Sequence, residues 1–101
     1  MRRGKTRTLG VTATMRQDFR FKFDSADKVR HFLRSLSGVA KIDDRDEFFV
    51  FTEREGEPFS FDCELQSFGL RTNRGGSYFE FLGQFLEQLT GEFGAVEVED
   101  S

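Results

Sequence analysis

Catalysis and metal binding need nucleophiles, bases or ligands brought together at workable spacing, and this 101-residue chain offers few such groups. His31 is the single histidine and Cys63 the single cysteine. One imidazole without a second ligand makes neither a zinc set nor a nucleophile-base-acid triad. Its place among Lys28, Arg30 and Arg34 puts it on the polar side of a helical pattern. Cys63 alternates with Phe59, Phe61 and Leu65, so it is expected to be buried, protonated and inert. Asp62 and Glu64 share one face of the same strand pattern, which is how an acid-base pair could be presented. Arg20 and Lys22 are expected beside them on a neighbouring strand, keeping both carboxylates ionised, so cross-strand ion pairs are the better reading. Asp43, Asp44, Asp46 and Glu47 lack the glycine and distal glutamate of a calcium loop and read as a turn. No metal, no cofactor and no enzymatic activity is expected.

Arg71 and Arg74 precede Gly75, Gly76 and Ser77 in a predicted loop before a helix, where free amides and the helix dipole favour an anion. The glycine spacing is neither a P-loop nor a dinucleotide fingerprint. Ser77 followed by Glu80 matches a capping box that would occupy those amides itself. With Arg2, Arg3, Lys5 and Arg7, the two arginines form a candidate contact for an anion or a single-stranded nucleic acid, phosphates on the basic groups and bases on sheet aromatics.

Charge bears on that reading. The net charge is −3, but residues 1–23 carry seven Lys/Arg against Asp18 alone, while residues 24–101 carry eight against seventeen Asp/Glu. The body of the chain therefore repels phosphate, and its basic groups concentrate at the start. Residues 1–16 are expected to be a weakly ordered basic arm or an added edge strand, and residues 17–101 a single α+β domain. No apolar run has the length of a membrane span, and a lone cysteine suits a reducing compartment, so a cytoplasmic protein with no membrane partner is expected. The hydrophobic fraction is only 37%, yet 14 of those residues are Phe, enough for one aromatic core.

The elements that would position these groups follow from periodicity. Phe19, Phe21 and Phe23 alternate with Arg20 and Lys22, predicting a half-buried strand over 18–23. Val29, Phe32, Leu33 and Leu36 recur at helical spacing after an Asp24/Ser25 cap, predicting a helix over 25–37 that stops at Gly38. A short strand over 39–42 is an option. The run 48–51 and the alternating 59–65, joined through Gly56 and Pro58, read as a hairpin. Segment 68–72 continues the alternation, with a bulge or bend at Gly69. A second helix from Ser77 is expected to bury Tyr78, Phe81, Leu82, Phe85 and Leu89 and to close at Gly91. A last strand over 95–98 points Val96 and Val98 inward.

The order β, α, β, β, α, β predicts a ferredoxin-like two-layer sandwich: an antiparallel sheet, both helices on one face, and room for an extra edge strand. In the run 48–51 neighbouring rings must point to opposite sides. Phe49 and Phe51, with adjacent Glu53, are the expected exposed patch for a protein partner or a second copy of the chain. The expected function is a small non-enzymatic protein-binding module: an adaptor, a regulator or a stoichiometric inhibitor such as a toxin-neutralising or phage-type inhibitor. Nucleic-acid binding through the basic arm and the Arg71/Arg74 loop is the alternative.

Overall fold

The computed structural model describes residues 15–100. Its sheet grows outward from the hairpin. Strict alternation in β4 (Phe59–Gln66) sends Phe61 and Cys63 to one side, both fully buried, and Ser60, Asp62 and Glu64 to the other. β3 (Phe48–Thr52) lies antiparallel to it, with Phe49 opposite Cys63 and Phe51 opposite Phe61. β2 (Lys41–Asp44) borders β3 as an edge strand, so the extra strand exists two residues later than expected. β5 (Gly69–Gly76) returns along the other side of β4, with Leu70 opposite Leu65 and Thr72 opposite Cys63. β1 (Met15–Arg20) pairs with β5, and β6 (Glu97–Asp100) pairs with β1.

The sheet is thus six-stranded and antiparallel in the order β2-β3-β4-β5-β1-β6. This corrects the ferredoxin-like expectation: the class is α+β, but strand number and order differ. The cause is β5, whose residues 69–74 pair with β1 while 69–76 pair with β4. Segment 74–76, expected as a loop, stays in this strand, pairing Arg74 with Phe61, Gly75 with Ser60 and Gly76 with Phe59. Gly69 makes the junction tight. Its φ is +141°, and a Cβ there would collide with the Phe19 carbonyl oxygen.

Both helices cover one face. α1 (Ala26–Arg34) starts at Ser25, whose Oγ accepts the Lys28 amide at 3.3 Å, and continues into a 3-10 turn at Ser35–Gly38. Val29, Phe32, Leu33 and Leu36 point inward as their spacing predicts. α2 (Phe79–Phe93) runs past Gly91 to Gly94, because Phe93 adds ring contacts with Phe21 and Phe32 at 5.0 and 5.7 Å. The expected capping box does not form: the helix has no side-chain cap, and Ser77 instead donates to Glu57 at 2.9 Å.

Phe85 is the hub of the core. Its ring lies 4.9 to 6.2 Å from those of Phe19, Phe32, Phe51, Phe61 and Phe81, joining sheet and helices. Phe21 and Phe23 leave the strand pattern earlier than expected but still pack on this cluster. At the far edge Val96 packs inward, whereas Val98 is 47% exposed and not inward as predicted.

Candidate functional site

The rings expected on the surface are inside. Phe49 and Phe51 are 0% exposed, and Phe51 lies 5.2 Å from Phe81 of α2. Their register with Cys63 and Phe61 commits them to the helix-covered face, so the expected exposed patch at these two rings is not there. The outward ring of that strand is Phe48, 38% exposed.

Glu53, the third residue of that expectation, stands at the start of a different feature. The β3–β4 connection carries Glu53, Arg54, Glu55, Gly56 and Glu57 before Pro58. Glu53 accepts the Phe59 amide at 3.1 Å, which ties the connection across its base. Hydrogen bonds from its own amide and that of Phe59 hold its carboxyl below the ordinary glutamate value. Arg54 Nε donates to the Ser37 carbonyl at 2.9 Å, fastening the connection to the 3-10 turn. The Ser77 amide donates to Pro58 and its hydroxyl to Glu57, fastening the other side to the approach to α2.

Between these fastenings lies an open groove of about 650 Å³. Its apolar part is Val39, Phe59, Phe79 and Phe81, with Phe59 stacked on Phe81 at 5.1 Å. Its acidic part is Glu53, Glu55, Glu57 and Glu80. At the lip Phe79 is 73% exposed and stacks on Tyr78 at 4.5 Å, while Val39 is 44% exposed. Sequence reasoning did not single out Phe79 or Val39. The signal for Phe79 was its offset: helical spacing takes Phe81, Phe85 and Leu89 inward and leaves Phe79 on another side.

The arginines expected to meet an anion are otherwise engaged. Both lie in β5 and not in a loop before α2. Arg71 donates to both carboxylate oxygens of Asp18, and Arg74 is 6% exposed with its guanidinium 4.9 Å from the Tyr78 ring centroid. Arg2, Arg3, Lys5 and Arg7 lie outside the described residues, as do the expectations for 1–14; of the supposed arm, Met15 and Arg16 belong to β1.

On the face without helices, the charges pair differently from expectation because β5 intervenes. Arg20 meets Glu99 at 2.8 Å, and Asp18 meets Arg71. Asp62 stands opposite Asn73, which stands opposite Arg16, beside a depression of about 250 Å³. Loss of water pushes the Asp62 carboxyl up. Cys63 is fully buried, and burial drives its thiol well above its ordinary value; His31 is exposed. Among the described residues no group of three or more His, Cys, Asp or Glu could hold a metal, and no helix is long and apolar enough to cross a membrane.

Comparison with known proteins found no match to this chain among family models, curated proteins or solved structures.

Proposed function

We propose that this chain is a non-enzymatic protein-binding module that docks its partner in the groove beside Phe79. The observation that carries the reading is Phe79 itself, a large ring 73% exposed at the lip of a concave surface. Aromatic residues, Phe among them, are enriched at protein interfaces, where a few anchors that become buried on binding carry most of the energy. Hydrogen bonds on both sides of the groove hold its walls before any partner arrives. Preorganisation of this kind lowers the ordering cost of association.

The test is affinity capture from the native host with the full chain and with its Phe79→Asp variant. A protein retained by the first and lost by the second, with folding of both verified by circular dichroism, is the expected result. Equal capture by the two chains would refute docking at this groove.

A further inference from the structure

The groove at Phe79 has a charge as well as a shape, and the charge selects the occupant. Resting on the docking reading above, we infer that the segment it takes is cationic and carries a large apolar side chain: Lys or Arg flanking a Leu-like or aromatic residue.

Among the described residues four carboxylates line the groove, and the single lining cation, Arg54, already donates to the Ser37 carbonyl. Glu53 is likewise committed, to the Phe59 amide, and Glu57 accepts from Ser77. Glu55 and Glu80 are the rim carboxylates left for a ligand; both are exposed, one on the hairpin connection and one in the first turn of α2. The apolar lip formed by Val39 and Phe79 belongs to the same groove as these two. An anionic segment would meet repulsion from the rim, and a purely polar cationic one would leave Phe79 and Val39 in water. Only a segment with both properties satisfies the acidic and the apolar lining together. Charges at such a rim act mainly on association rate and partner choice, the anchor on residence time.

The experiment titrates the isotopically labelled full chain, followed by amide NMR shifts, with three short synthetic peptides of equal length: alternating Lys/Leu, Glu/Leu and Lys/Ser. The Lys/Leu peptide is expected to bind at least about tenfold more tightly than the others, moving the amides of Gly56, Phe79 and Glu80. That affinity should fall as salt rises from about 50 mM to about 500 mM, and fall about tenfold in the E55Q/E80Q variant. Phe79→Ser should weaken it as well. Equal binding of the Glu/Leu peptide, or binding unaffected by E55Q/E80Q, overturns the cationic assignment while leaving the groove as a docking site. Equal binding of Lys/Ser and Lys/Leu, unaffected by Phe79→Ser, shows diffuse charge attraction and overturns the inference too. Failure of every peptide overturns the cationic assignment, and the Phe79→Asp capture experiment then reports separately on whether the groove binds protein at all.

Discussion

Asp18 and Arg71 stand directly opposite each other on neighbouring strands, joined by two hydrogen bonds of 3.0 and 3.3 Å between guanidinium and carboxylate. Asp18 is only 4% exposed, so its charge depends chiefly on this fork, with Arg20 and Arg16 adding to it. The hydrogen bond from Arg71 holds its carboxyl below the ordinary 3.8. A lowered folded value contributes stability that is present above the ordinary value and disappears as pH falls through the lowered one. Replacing Arg71 by Met should therefore lower the melting temperature near neutral pH, and the gap from wild type should close in acid. Calorimetric melts across that range check it, and a gap independent of pH would refute it.

Asp62 makes the opposite case on the same open face. Desolvation raises its carboxyl above 3.8, so the group favours folding in its protonated form, a contribution lost as pH rises through the raised value. Asp62→Asn is neutral and similar in shape. The variant should melt higher than wild type near neutral pH and match it at about pH 3.

Two phenylalanines six residues apart on α2, and so on different sides of it, should behave in contrasting ways. Phe85 contacts five rings and is 0% exposed, so Phe85→Ala should cost about 3–5 kcal/mol in urea denaturation. Phe79 is 73% exposed, and Phe79→Ser should change stability by less than about 0.5 kcal/mol while abolishing capture of the partner. Loss of stability at both positions would place Phe79 in the fold and not in recognition.

Gly83 and Gly91 lie inside α2, and a Cβ added to either meets nothing within 4 Å. Alanine at each should raise stability by about 0.5–1 kcal/mol, because glycine loses more backbone freedom on entering a helix. The same change at Gly69 should destabilise, since its Cβ would strike the Phe19 carbonyl oxygen. Denaturant midpoints of the three variants measure the contrast.

The layers of this fold were legible from periodicity, because Phe19, Phe61, Cys63, Phe32 and Phe85 each obey a single burial pattern in sequence and structure alike. Strand order was not legible. It depends on β5 lying between β1 and β4, a nonlocal choice, and Arg74, Gly75 and Gly76 have loop-like composition yet pair with Phe61, Ser60 and Phe59 of β4. The side taken by Phe49 and Phe51 was decidable only through register with Cys63 and Phe61, a nonlocal relation. The groove was legible in part. Its glutamates are local in sequence, but Val39 and Phe79 join it only through folding.

The pairing of β1 with β6 carries a consequence for synthesis. Residues 17–20 hydrogen-bond to residues 97–100, so β1 finds its outer neighbour only once those residues have been made. Strands β2 to β5, by contrast, join one another in consecutive order. A nascent chain can therefore bring four of the six strands together in the order they are made, while the outer edge of β1 waits for β6.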